Sequence, residues 1–229
     1  MFSAIALKEL RETWWIPVLA TLGLAWIVKD AMGFQVVDDS REFFNWMPAY
    51  GDGYVHPVPF EGDAWPITVL LIGGIAAVIL AFWQTLLESA QGTWTLYLHR
   101  PVERRTLILG KLAVGGGWLL LCVGSPLLLY ALWAALPGRH ATPFEWWMTG
   151  PTVRAWAYIS VAYLAAFLCG LRPARWWVSR FLPAIFPFFL WLPIVVIPWT
   201  AWPMVLIILL SDAVLLAAIV WVTETRDWA

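Results

Sequence analysis

Charge is scarce in this chain. Asp, Glu, Lys and Arg make up 13% of its 229 residues, about half the share found in ordinary soluble domains. The 14 Lys+Arg and 15 Asp+Glu leave a formal net charge of −1, so no overall basic field exists to hold nucleic acid. Cysteine is nearly absent: Cys122 and Cys169 are the two, each inside an apolar run. Two thiols exclude a disulfide framework, and their apolar settings make them small core hydrophobes rather than metal ligands. The loop residues His56 and His140 have no further ligands at metal spacing, so no metal site is expected. Catalytic patterns are missing too. There is no His-Glu-x2-His, no Gly-x-Ser-x-Gly and no pair of carboxylates within the apolar segments, which leaves no catalytic residue to assign.

What the chain has instead is apolar length. Hydrophobic residues reach 62%, more than a fold of this size can hide from water. A bilayer-crossing helix needs about 20 mostly apolar residues, and six stretches meet or approach that, at about 14–32, 65–87, 108–136, 155–171, 181–199 and 203–222. The fold class is therefore an all-α polytopic membrane protein, one transmembrane domain over residues 1–229. Lys29 and Asp30 crowd the end of the first span, and the third is long enough to tilt or bend. Only a few residues separate spans five and six, which predicts a tight hairpin. The 19 Trp residues suit membrane–water interfaces, where an indole sits half wet and half apolar.

Basic residues choose the orientation. With the N-terminus in the cytoplasm, inside segments carry Lys8, Arg11, Arg100, Arg104, Arg105, Lys111, Arg172, Arg175, Arg180 and Arg226, against Lys29, Arg41, Arg139 and Arg154 outside. Ten against four predicts that both termini are cytoplasmic. Residues 1–13 mix Lys8 and Arg11 with Glu9 and Glu12, and no small-x-small cleavage site follows the first apolar run, so this start reads as part of the mature protein. Phe2, Ile5 and Leu10 share one helical face while Lys8, Glu9, Arg11 and Glu12 lie toward the other, a pattern that predicts a helix lying flat at the interface. A plain polar leader is the other reading. In the outer loop, about 33–64, Asp39 precedes Glu42 by three residues, followed by Phe43, Phe44, Trp46 and Met47. This predicts a short capped helix pressing aromatics into the outer interface, or a substrate gate.

The functional signal lies at 88–111, ESAQGTWTLYLHRPVERRTLILGK. Gly92-Thr93 and Arg100-Pro101 bound a short amphipathic piece, Trp94–His99. Arg104, Arg105 and Lys111 put positive charge at the inner headgroup level, and Lys111 is placed to snorkel there. A short cytoplasmic helix joined stiffly to two membrane helices works as a lever; the plain alternative is a basic loop that enforces topology. The pattern Glu-x3-Gly-Thr-x2-Leu-x4-Pro-x2-Arg-x5-Gly-Lys, carried by Glu88, Gly92, Thr93, Leu96, Pro101, Arg104, Gly110 and Lys111, resembles the signature of ABC-2-type permeases, the membrane subunits of one class of ATP-binding-cassette transporters. Trp94, Thr95 and Tyr97 depart from the leucine- and glutamate-rich stretch usual there. The resemblance implies that residues 88–107 form a coupling segment, with Glu88, Gly92, Thr93, Leu96, Pro101, Arg104 and Arg105 serving contact with a separate ATPase subunit. It also implies a second permease copy or a similar permease as partner, and export across a bacterial cytoplasmic membrane. No G-x4-G-K-[ST] occurs, since Leu112 follows Gly110-Lys111. The chain is thus not expected to be an enzyme by itself or to bind a cofactor; ATP and Mg belong to the partner.

Asp212 lies near the middle of span six. An ionisable group there costs about 2.5–3.5 kcal/mol on insertion scales and must face protein or water. It reads either as a lining or gating group, or as a structural hydrogen bond or ion pair favoured by the adjacent Ser211. Glu88 and Gln84 read as helix-end interface groups. Pro183, Pro187, Pro193 and Pro198 in span five predict kinks or a re-entrant helix. Gly73, Gly74 and Ala77 in span two, with Gly115, Gly116 and Gly117 in span three, read as sites of close helix approach. Two functional rivals stand beside the permease: a secondary transporter driven by an ion gradient through Asp212, and a non-transporting assembly or immunity factor.

Overall fold

Long apolar runs leave the backbone one way to satisfy its own hydrogen bonds, and that is the helix. The computed structural model describes residues 2–32, 59–60, 64–88, 103–140, 142–172, 177–196 and 201–225, and among them every regular element is helical. The elements are α1 (Phe2–Thr13), α2 (Trp15–Ala31), α3 (Ala64–Phe82) continued by a π-helical turn (Trp83–Leu87), α4 (Arg104–Ala134), α5 (Gly150–Leu171) entered through a 3-10 turn (Trp146–Thr149), α6 (Trp177–Val196) and α7 (Ala201–Thr225). Among the described residues, four helical stretches are long and apolar enough to cross a membrane: Trp65–Leu87, Arg104–Ala134, Trp146–Leu171 and Pro203–Thr225. Trp15–Lys29 is apolar but shorter.

The boundaries differ from expectation in instructive places. α4 starts at Arg104, so Arg104 to Leu107 belong to the helix rather than to the segment before it. α5 starts at Gly150, with Pro151 in its first turn, where a missing N–H does no harm. α6 runs continuously through Pro183, Pro187 and Pro193, and Pro198 lies outside the described residues. Pro126 inside α4 takes away the helical donor to the Cys122 carbonyl, and the Thr21 hydroxyl of α2 approaches that carbonyl at 3.5 Å.

α5 is the centre of the bundle. Two-thirds of its membrane-length window is buried (67%), against 22% for α7, and it packs on α3, α4, α6 and α7. Glycine permits the closest approaches. A Cβ on Gly115 of α4 would overlap the Tyr163 hydroxyl of α5, and one on Gly170 of α5 would overlap Thr85 of the π turn. Gly73 packs on Ile159 in the same way and Ala77 is fully buried. Gly74, Gly116 and Gly117, by contrast, have no neighbour at the Cβ position among the described residues. Cys122 and Cys169 are both free and buried.

The two ends of the bundle differ chemically. At one end Phe60, held at a φ of 59°, packs against Trp65, Tyr130 and Phe144. Trp65 and Tyr130 stack at 4.7 Å, and the His140 ring stands edge-on to Trp133 and Tyr130. At the other end, where α3 finishes and α4 begins, polar side chains collect. Trp65 and Gln84 mark these ends on α3 and its π turn, 19 residues and so about 30 Å apart at the helical rise, which is the thickness of a bilayer's hydrocarbon core. Exposed tryptophans sort the same way: Trp14 and Trp221 toward the polar end, Trp26, Trp146 and Trp147 toward the aromatic one. Between them the outer face is Leu, Ile and Val, as lipid contact requires.

Candidate functional site

The polar end is built by three elements. α1 packs against α4 and the π turn, and that turn ends at Glu88. In α1, Glu9 and Thr13 stand one turn apart on one face, and the Thr13 hydroxyl donates to the Glu9 carbonyl at 2.6 Å. Both are buried, as are Gln84, Thr85, Glu88 and Lys111. Outward on α1 lie Leu7, Leu10 and Trp14. The expected separation of a polar face from an apolar one therefore holds in part. Glu9 turns into the protein and away from water, because Lys111 waits there for a counter-ion, and the apolar side is left for lipid.

Lys111 is the hub, with a side chain only 2% exposed. Its ammonium lies 2.5 Å from Glu9 Oε1 and 2.8 Å from Glu88 Oε2, and it donates to the Gln84 carbonyl at 3.3 Å. Two of these contacts are hydrogen bonds, to Glu9 and to the Gln84 carbonyl, and the contact with Glu88 is an ion pair. The expected snorkelling of Lys111 does not occur, since two carboxylates within reach inside the protein compete with the headgroup layer. Lys8 binds the other oxygen of Glu88 at 2.8 Å and leans toward Glu12 at 3.6 Å. Gln84 returns a bond from its Nε2 to the Lys111 carbonyl at 3.3 Å, and its Oε1 accepts from the Tyr163 hydroxyl at 2.7 Å. A continuous polar chain runs from half-exposed Glu12 through Lys8, Glu88, Lys111 and Gln84 to Tyr163 on α5.

Glu9 and Glu88 against Lys8 and Lys111 make the inner set neutral, which is what a low-dielectric site demands. Burial pushes the Glu9 carboxyl above its ordinary range; the Lys111 ammonium and its hydrogen bond pull the other way without overcoming it. Glu9, Glu12 and Glu88 bring carboxylate oxygens within 4.8 Å of one another, a spacing that suits a divalent ion. Lys8 and Lys111 already fill that role, so the group reads as an ion-pair network rather than a cation site. With Lys111 and Glu9 sealed from solvent, no substrate reaches them for acid–base chemistry. What the arrangement does is hold three helix ends in one geometry.

Of the residues expected to matter, Glu88 enters this cluster. Arg104 and Arg105 open α4 and are exposed, with Arg105 Nε 2.8 Å from Glu224 Oε1 near the end of α7. Gly92, Thr93, Leu96 and Pro101 lie outside the described residues, as do the outer-loop residues Asp39 to Met47 and His56. Asp212 is far from the cluster, on α7 facing α5. Its Oδ2 lies 2.6 Å from Ser160 Oγ, and its Oδ1 is buried with no hydrogen-bond partner among the described residues. The sequence reading missed Glu9, Gln84 and Tyr163 as members of one network. A signal existed: Glu9 and Thr13, Gln84 and Glu88, and Lys111 and Gly115 are each four residues apart at the ends of apolar runs, the spacing of one helical face. Comparison with known proteins returns no significant match to a family model, a curated protein or a solved structure.

Proposed function

We propose that the chain is the permease subunit of an ATP-driven transporter of the ABC-2 type, an exporter of a bacterial cytoplasmic membrane. In this reading it has six crossings with both termini inside, works as a homodimer or with a similar permease, and takes energy from a separate ATPase subunit that holds ATP and Mg. One observation carries it. The helices flanking residues 89–102 are pinned to each other and to α1 through Lys111, Glu88 and Glu9, so a push on that segment reaches the bundle undamped. The spacing of Glu88, Gly92, Thr93, Leu96, Pro101 and Arg104 supplies the resemblance. The exposed Arg104 and Arg105 offer charge at the segment's edge to a partner.

Affinity purification of the tagged chain from native membranes tests the reading, with an ATP-hydrolysing subunit expected to copurify in stoichiometric amount. Failure to recover one sinks it. In the purified complex, R104E and R105E lower transport-coupled ATP hydrolysis severalfold while membrane insertion stays normal; unchanged coupling in both removes the lever. One observation favours a second reading, transport driven by an ion gradient: the buried Oδ1 of Asp212 has no hydrogen-bond partner among the described residues. D212N in the same assay separates them, since an ion-coupled carrier loses its gradient dependence and the ATP-driven complex keeps most of its turnover.

A further inference from the structure

The N-terminal helix is held in place by charge as well as by apolar contact. Leu7 and Leu10 point away from the bundle, as does Trp14 just past the helix, while Ile5 packs on the core and Glu9 and Thr13, 2% and 1% exposed, point into it. A helix that floats at an interface keeps its charges toward water; α1 leaves Arg11 and Glu12 exposed but turns Glu9 inward. We propose that Glu9, Lys111 and Glu88 form an ionic latch that makes α1 and the membrane ends of the 89–102 segment one mechanical body, with Lys111 as the positioning residue on which both depend.

The geometry supports a latch in three ways. Glu9 and Glu88 are 79 residues apart in sequence and share the Lys111 ammonium between them. Lys111 donates to Glu9 Oε1 and to the Gln84 carbonyl and pairs with Glu88 by charge, so its ammonium is held from three sides. Behind it, Gln84 and Tyr163 extend the contact to the central helix α5. Lys8 closes the open side on Glu88. Release of Lys111 leaves Glu9 without its cation while Glu88 keeps Lys8, and Glu9 sits on α1, a separate helix, whereas Glu88 continues the membrane helix α3. Movement of the ends of α3 and α4 is then no longer carried to α1 through Lys111.

The latch is a property of the fold and does not rest on the transport reading. Its test uses the full chain in lipid nanodiscs with a cysteine reporter, Thr13→Cys, and the native Cys122 and Cys169 as internal controls. In the T13C protein a maleimide probe reacts slowly at all three thiols. Adding K111M raises the T13C rate at least about tenfold by local opening, while Cys122 and Cys169 stay protected. The swap E9K/K111E keeps one cation between two carboxylates and returns the T13C rate to near its starting value, whereas K111E alone does not. E9Q, which leaves Lys111 paired with Glu88, gives an intermediate rate and covers the case in which K111M fails to fold. Equal protection of T13C in every variant overturns the latch. So does simultaneous exposure of Cys122 and Cys169 in every variant, because the cluster would then serve overall folding and not the attachment of α1. Absence of an ATPase partner leaves each of these outcomes readable.

Discussion

A lysine at the end of a membrane helix has a long stem and an easy escape to the headgroups, yet Lys111 stays inside. The reason is local supply: Glu9 and Glu88 each place a carboxylate oxygen within 2.8 Å of its ammonium. Such a buried set is no large source of stability, because desolvation of three ions consumes most of their attraction. Glu9 shows this directly, since burial outweighs Lys111 in setting its proton affinity. Breaking the set is another matter. K111M leaves Glu9 uncompensated, Glu88 keeping Lys8, and is expected to cost about 3–5 kcal/mol, whereas E9Q loses one charge-assisted hydrogen bond of about 1.5–3 kcal/mol. The pH dependence follows from the direction at Glu9. A carboxyl whose folded value lies above its unfolded one stabilises fully below the unfolded value and loses that contribution as pH rises through the folded value. The stability of the wild type relative to E9Q therefore declines as pH is raised from below 4.5. Thermal unfolding of both proteins across pH measures it, and a difference that grows with pH contradicts the burial argument.

Neighbouring glycines on one helix give a sharper contrast. Gly115 and Gly116 read alike in the sequence, as part of a Gly-Gly-Gly run suited to close packing. On α4 they are about 100° apart, and only Gly115 meets another helix, at the Tyr163 hydroxyl with Gln84 Oε1 3.0 Å from where a Cβ would sit. G115A has to displace Tyr163 from Gln84 and is expected to destabilise by about 1–3 kcal/mol. G116A meets open space and gains helix propensity, so it is neutral or stabilising by up to about 1 kcal/mol. Unfolding midpoints of the two purified variants decide the point; equal losses would mean that Gly116 packs against something the chain alone does not show. The same pair explains what was legible. Existence and approximate limits of the helices follow from runs of apolar residues, which need no partner to be recognised. The phase of each helix does not, because six apolar faces look alike until packed. Hence the Gly-Gly-Gly run does not tell Gly115 from Gly116, which has no neighbour among the described residues, and the pattern of α1 does not show that Lys111, 102 residues away, draws Glu9 inward. The helix α6 stays continuous through Pro183, Pro187 and Pro193, as membrane helices do when neighbours satisfy the freed groups.

For the molecule as a whole, the distribution of charge and indole fixes an axis before any side is named. Arg105 and Glu224 bridge the start of α4 to the end of α7, at the same end as the Lys111 cluster and the exposed Trp14 and Trp221. Trp146 and Trp147 are exposed at the opposite end, beside the Phe60 cluster. In the six-span reading proposed above these ends face different compartments, and the excess of Lys and Arg predicts that the Arg105 end faces the cytoplasm. Single cysteines at two exposed positions test both statements at once, E224C for one end and W147C for the other. The native thiols are buried and unreactive. With a membrane-impermeant maleimide, W147C labels in intact cells, and E224C labels only in inverted vesicles. Labelling of both from one side contradicts the six-span arrangement. Labelling with the sides exchanged keeps the spans and reverses the orientation, and residues 89–102 would then face away from the only compartment that supplies ATP, so the permease reading would fall with the positive-inside assignment while the ionic latch, which is indifferent to side, would stand.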